Sequence, residues 1–235
     1  EKAFPRTSWN QIFYTIAGVR SLLRVEGVKE SSVTRRHIIY DHERKEGVKG
    51  LISVIGGKLT AYRGIAEDVV DVAASKLGAS AACTTAKEKL PGADAVELEK
   101  VRANPKLLTA EHGITPEVLN HLVTLYGSRY GEVLGYVKKD RSLGERVCKT
   151  NPDIMAEVAH AIDKESALTL SDFMLRRSLI GFTKCEGLDC CAKVAEKMGK
   201  ILRWSTREIS SQVRAYEKEI AMRHAYEKET ARALS

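Results

Sequence analysis

Ile52-Ser53-Val54-Ile55-Gly56-Gly57-Lys58-Leu59-Thr60-Ala61-Tyr62-Arg63 decides how this chain folds. Leu51 to Ile55 is apolar and β-branched, the composition of a strand, and Gly56-Gly57 closes it. Leu59, Tyr62, Ile65, Ala66, Val69, Val70, Val72 and Ala73 then recur at helical spacing, an apolar stripe that runs to about Leu77-Gly78. A strand that passes through glycines into a helix lets backbone N–H groups approach a ligand closely, and the helix start concentrates partial positive charge there. Lys58 adds an ammonium at the same place. Such a turn attracts an anion, or an electron-rich ring edge that becomes anionic. It is equally the form of an ordinary strand-to-helix connection with a solvated lysine.

Outward from this turn, Ile12-Phe13-Tyr14-Thr15-Ile16, closed by Gly18, and His37-Ile38-Ile39-Tyr40 read as two further strands of the same sheet. Arg20 follows the first of these, and Arg35 precedes the second. Arg20, Arg35 and Lys58 near one helix start suit a phosphate, because arginine offers a planar fork and lysine a point charge. Each arginine alone is equally accounted for by a surface salt bridge.

The chain changes character near residue 80. Residues 78 to 100 are rich in Gly, Ala, Thr and Lys around Leu90-Pro91-Gly92, which reads as a connection. Beyond it the pattern is helical. Thr115-Pro116 opens a segment that ends at Tyr126-Gly127, and Asn151-Pro152 opens another that reaches about Lys164, each pairing an N-cap residue with Pro at the first helical position. Thr169-x-x-Asp172 and Ser205-x-x-Glu208 have the capping-box form, and Ile209, Val213, Tyr216 and Ile220 stripe the last long helix. The expected organisation is an α+β part over 1–80, a linker over 81–100 and an all-α domain over 101–235.

The 235 residues are 43% hydrophobic and 29% charged, the composition of a globular protein and not of a disordered one. The 38 Lys+Arg against 31 Asp+Glu give +7, yet the signs alternate along the helical stretches, so no nucleic-acid partner is expected; an anionic substrate or an acidic membrane surface remains compatible. No apolar run approaches the ~20 residues that span a bilayer. Five cysteines, at 83, 148, 185, 190 and 191, are an odd number and fit free thiols in a reducing compartment. The expected location is cytoplasmic, at most peripheral to the inner face of the cell membrane.

The joint pattern carries a resemblance. Phe13 to Arg20, Ser32-Val33-Thr34-Arg35-Arg36-His37 and Ser53 to Arg63 resemble, in order and spacing, the last third of FAD-dependent glycerol-3-phosphate dehydrogenases. The likeness continues through Leu90-Pro91-Gly92, Leu125 to Tyr130, Leu143-Gly144-Glu145 and Phe173 to Ser178, weakening towards the C-terminus. It implies that residues 1–80 end an FAD and substrate domain of the glycine/D-amino-acid oxidase type. It also implies that Arg20 and Arg35 bind the phosphate of sn-glycerol 3-phosphate. Gly18, Gly57, Lys58, Leu59 and Thr60 would then lie at the FAD, with Lys58 close to flavin and substrate as the catalytic cation. Electrons would pass from FAD to a quinone or another acceptor. Ser21 stands where the family usually has proline and Ala61 where threonine is common; neither supplies the cation or the glycine.

The larger departure is the missing G-x-G-x-x-G after a first strand, which would seat the FAD pyrophosphate. Together with a start at Glu1, this leads to the expectation of a fragment, a processed chain or one subunit of a split enzyme, inactive until an N-terminal FAD-binding segment or subunit joins it. Two competing readings stay open: an oxidase of the same family that uses oxygen, and a non-catalytic helical interaction module.

Cys185-Glu-Gly-Leu-Asp-Cys190-Cys191 is similar in spacing to the second half of the 2Fe-2S domain that ends some relatives, with Cys148 near the place of the first pair. A 2Fe-2S cluster needs four thiolates, and the upstream pair is reduced to Cys148 followed by Lys149-Thr150, so buried or incidental thiols are expected and no metal. The six histidines show no H-x-x-x-H or H-E-x-x-H spacing. His37 and His42 flank the second strand and are expected to be structural.

Overall fold

Residues Ile38–Asp41 (β1) and Ile52–Ile55 (β2) pair antiparallel, with Ile38 opposite Ile55 and Asp41 opposite Ile52. The computed structural model describes residues 18–19, 26–29, 32 and 36–224, so the stretch Ile12 to Ile16 lies outside the described residues. Between the strands the short helix α1 (His42–Glu46) is capped by the Asp41 side chain and stops at Gly47 in the left-handed region. After β2 the chain turns into helix α2 (Tyr62–Lys76). Lys76 at its end pairs with Asp41 Oδ1 at 3.0 Å and Glu43 Oε2 at 2.6 Å, which ties the end of α2 to the β1–α1 junction.

The chain divides between Lys89 and Leu90 into two compact units. The earlier unit carries β1, β2, α1 and α2, and none of its described residues is buried. Its described elements, a two-stranded ribbon with one long and one five-residue helix, are too few to enclose a core by themselves.

The later unit is all-α and holds every buried hydrophobic residue among those described, from Val101 to Ile220. It begins with α3 (Ala95–Ala103), whose N-terminal N–H groups of Val96 and Glu97 are accepted by Asp94, and α4 (Pro105–His112). Thus α3 starts inside the stretch read as a linker, because Asp94 supplies a local cap that the composition obscured. Leu90-Pro91-Gly92 is fixed here too: Gly92, at φ 90°, accepts from Ser128 N at 2.8 Å, and a Cβ on Gly127 would collide with Gly92 O. Two segments that the sequence resemblance singled out are therefore in backbone contact.

Helix α5 (Pro116–Tyr126) starts and ends where the sequence places it, capped by Thr115 and stopped at Gly127. Helix α6 (Tyr130–Lys139) follows. The next helix begins later than Asn151-Pro152 predicts: α7 spans Met155–Glu165. The reason is tertiary. Val147 N donates to Asp153 O at 2.8 Å and Met155 N to Glu145 O at 2.9 Å, around an antiparallel bridge of Arg146 with Ile154, so helical geometry starts only beyond Ile154.

Seven successive residues of α7, Met155 to Ala161, are buried, which makes it the central helix, flanked by α6 and by α9 (Cys191–Leu202). The Thr169–Asp172 box opens the short helix α8 (Leu170–Asp172), which runs into a π turn at Phe173–Arg177. The Ser205–Glu208 box opens α10 (Thr206–Arg223), whose stripe seats Tyr216 and Ile220 in the core with Ile209 and Val213 at its margin.

Burial on α7 includes charge. Glu157 is fully buried and accepts from Ile154 N at 2.8 Å and Tyr126 OH at 3.2 Å, with His121 Nε2 at 3.0 Å. Asp153, 3% exposed, lies 3.7 Å from the same imidazole, and its Oδ1 has no hydrogen-bond partner among the described residues. Burial and the Glu157 charge push the Asp153 carboxyl from 3.8 up to about 6. Burial alone would lower the His121 imidazole, but the bond and charge of Glu157 outweigh it and raise it above its ordinary value.

Both shifts mean that the folded state holds protons more tightly than the unfolded one. Stability therefore falls as pH rises, between 3.8 and about 6 for Asp153 and above 6.5 for His121. Asp153→Asn is expected to stabilise the helical unit at pH 7 by up to about 3 kcal/mol and to leave it nearly unchanged at pH 4. Urea unfolding of both proteins at several pH values checks this, and parallel curves would refute it.

Candidate functional site

The Gly56-Gly57-Lys58 turn owes its shape to backbone positions that only glycine fills readily. Gly56 and Gly57 have φ of 75° and 94°, and a Cβ on Gly57 would meet Ile65 Cδ1 at 2.8 Å and His37 Cβ at 3.1 Å. The second glycine thus lets α2 lie close to β1. Lys58 is extended, Leu59–Ala61 form one 3-10 turn closed by Ala61 N to Lys58 O at 2.9 Å, and α2 follows. The sequence reading starts the helix at the lysine; the tighter turn intervenes because the chain leaves β2 in an extended conformation and must first reverse. Neither Lys58 nor Ala61 caps the turn with its side chain, so the leading N–H groups are not taken up there.

Beside this turn an open groove of about 600 Å³ is lined by Val54, Gly57, Lys58, Leu59, Tyr62 and Val70, among others. Leu59 is 89% exposed, Val70 61% and Tyr62 54%. Lys58 is the charged member of an otherwise mostly apolar lining. Such a surface can take a flat aromatic body against its apolar side and accumulate negative charge at the end nearest Lys58 and the turn.

The other predicted site residues are placed unequally. Gly57, Lys58, Leu59 and Thr60 share the turn. Gly18 is exposed, and Arg20 and Arg35 lie outside the described residues. The flanking histidines have structural partners: His37 Nε2 lies 2.8 Å from Asp68 Oδ2, while His42 bridges Glu46 Oε2 at 2.9 Å and Ser53 Oγ at 2.8 Å.

The helical unit assembles two clusters. One is His121, Asp153 and Glu157. The other joins Cys148 to the Cys185–Cys190 loop, with Cys148 Sγ 3.7 Å from Cys185 Sγ. Cys191 is directed elsewhere, its thiol donating to Leu188 O at 3.7 Å. The cysteine cluster joins the residues that the C-x4-C spacing and its resemblance already set beside Cys148, whereas the His121 cluster has no advance signal beyond its residue types.

Residues 83–209 match the family described as the C-terminal domain of alpha-glycerophosphate oxidase. The chain belongs to this family.

Relatives of the family domain extend the likeness across most of the chain. A glycerol-3-phosphate dehydrogenase of Synechocystis sp. is 38% identical over 205 residues, 86% of this chain and 36% of that protein. One subunit of the anaerobic glycerol-3-phosphate dehydrogenase of Escherichia coli is 31% identical over 199 residues, 83% of this chain and 34% of that one. Among solved structures, the glycerol-3-phosphate dehydrogenase of Bacillus halodurans complexed with FAD superposes with a TM-score of 0.63 at 27% identity, over 74% of this chain and 36% of that one. The chain spans roughly a third of the length of these relatives.

Proposed function

We propose that this chain is the C-terminal part of an FAD-dependent enzyme that oxidises sn-glycerol 3-phosphate to dihydroxyacetone phosphate. One observation carries the reading: within a chain of the alpha-glycerophosphate oxidase family, the unit that ends at Lys89 has no buried residue among those described, yet it presents an apolar groove beside a cationic, uncapped turn. Exposed apolar surface of this kind belongs against another body. An N-terminal FAD-binding segment or subunit would cover part of it and supply the pyrophosphate seat that this chain lacks.

The residues present fit the ring end of the cofactor. The groove is apolar enough for an aromatic ring system, and Lys58 with the leading N–H groups places positive charge at one edge. Bound FAD supplies the hydride acceptor. Arg20 and Arg35 hold the substrate phosphate by paired hydrogen bonds, which fixes the orientation of the carbon that is oxidised. Lys58 would stabilise the negative charge that builds up at the ring edge receiving the hydride, while the substrate hydroxyl would give its proton to a base. The acceptor of the electrons would be a quinone or a similar molecule, which would suit a cytoplasmic protein at the inner face of the cell membrane. Among the described residues no helix is long and apolar enough to cross a membrane.

A second reading rests on the family's own description as an oxidase, with oxygen as acceptor. Peroxide release during turnover separates the two.

In the complete enzyme, Arg20→Ala is expected to raise the KM for glycerol 3-phosphate by about 10- to 100-fold, the loss of one charge-assisted pair. Lys58→Met is expected to lower kcat by about 100-fold with a smaller change in KM. Steady-state kinetics test both. An unchanged KM in Arg20→Ala would remove the phosphate assignment, and an unchanged kcat in Lys58→Met would remove the catalytic one.

A further inference from the structure

Cys148 precedes α7, and Cys185, Asp189 and Cys190 lie in the loop that leads into α9. Cys148 Sγ stands 3.7 Å from Cys185 Sγ and 3.5 Å from Asp189 Oδ2. One ligand atom each of Cys148, Asp189 and Cys190 lie within 4.8 Å of one another. A tetrahedral ion with bonds of ~2.3 Å to sulfur and ~2.0 Å to oxygen has edges of ~3.8 Å between sulfurs and ~3.5 Å between sulfur and oxygen. The two separations at Cys148 match those edges.

Hydrogen-bond donors converge on two of the sulfurs. Asn151 Nδ2 donates to Cys148 Sγ at 3.3 Å and to Cys185 Sγ at 3.6 Å, and Thr183 Oγ1 lies 3.3 Å from Cys185 Sγ. Cys190 sits at the start of α9, where burial and the Asp189 charge push its thiol well above the ordinary range, so a bound cation is what would hold it as a thiolate. Without an ion the Cys148 thiol donates to the Asp189 carboxylate, and a cation would take the place of that proton between the two ligand atoms. Cys148 and Cys190 are buried at 3% and 5% exposure, while Asp189 is exposed, which gives the cluster a closed floor and an open side.

We propose that Cys148, Cys190 and Asp189 hold a Zn²⁺ ion, with Cys185, the neighbour of Cys148, closing on it as the fourth ligand, and that the site fastens the α9 loop to the segment before α7. Three sulfurs and a carboxylate are a tetrahedral zinc donor set, whereas a 2Fe-2S cluster needs a fourth thiolate. Each thiol that ligates gives its proton to solvent, so uptake of the ion acidifies the medium. The site lies wholly in the helical unit and does not depend on the flavin reading.

The test is a Co²⁺ titration of the full chain, reduced and stripped of metal, followed by displacement with Zn²⁺. The expected result is uptake of about one ion per chain, with sulfur-to-cobalt charge transfer and tetrahedral d–d bands that zinc abolishes. Cys148→Ser should lose the charge-transfer band, and Cys83→Ser, an exposed thiol elsewhere, should keep it. Should Cys148→Ser fail to fold by circular dichroism, Asp189→Asn decides, because an exposed side chain is dispensable for folding; its affinity should fall about tenfold or more. No charge transfer in the unmodified chain, undiminished binding in Asp189→Asn, or iron with labile sulfide in the purified protein would each overturn the proposal.

Discussion

Glu157→Ala is expected to destabilise the helical unit by about 3–5 kcal/mol, a large part of the ~5–15 kcal/mol that holds a domain together. The carboxylate is fully buried and serves three donors at once: the Ile154 N–H that opens α7, the Tyr126 hydroxyl and the His121 imidazole. Removing it leaves all three without that acceptor inside the core, and the raised His121 loses its main partner. Glu157→Gln keeps the shape and part of the hydrogen bonding and should cost less than half as much. Urea midpoints at pH 7 measure both. A loss under about 1 kcal/mol for the alanine variant would show that Asp153 takes over the imidazole and that Glu157 is not the keystone of this network.

Gly57→Val is expected to empty the complete enzyme of flavin while the helical unit melts almost as before. A β-branched residue at φ 94° is strained by about 1–3 kcal/mol, and its Cβ has no room beside Ile65 and His37. The collision pushes α2 from β1 and moves Lys58 and the leading N–H groups together, so the cost falls on the groove and not on the core around α7. Flavin retained after gel filtration should drop at least about tenfold, the effect of losing about 1.4 kcal/mol of binding free energy. A variant that keeps stoichiometric flavin and full rate would place the ring somewhere other than this turn.

What the sequence makes legible is what neighbours in the chain decide. Thr115-Pro116 and Tyr126-Gly127 mark both ends of α5 because cap, N1 proline and terminating glycine each act within a turn of the helix end they set. The Thr169 and Ser205 boxes are legible for the same reason, and so is the Gly56-Gly57-Lys58 turn. Asn104-Pro105 has the same form in sequence, but Asn104 makes no side-chain cap bond to α4. Pro152 is a different case: its local signal is genuine, but hydrogen bonds from Val147 and to Glu145 overrule it. The gathering of His121 with Glu157 is set by how α5 and α7 pack, which no spacing rule encodes, whereas the C-x4-C spacing points to Cys185 and Cys190 beside Cys148.

The measurement that bears most directly on the central claim is made on the natural protein that carries this chain. Its visible spectrum and intact mass are recorded, and sn-glycerol 3-phosphate is added without oxygen. Bleaching of a flavin band, in a longer chain or a tight two-chain complex, is the predicted result. A colourless protein of about the 26.0 kDa of this chain, indifferent to substrate and to added FAD, would contradict the account and leave a helical binding module in its place.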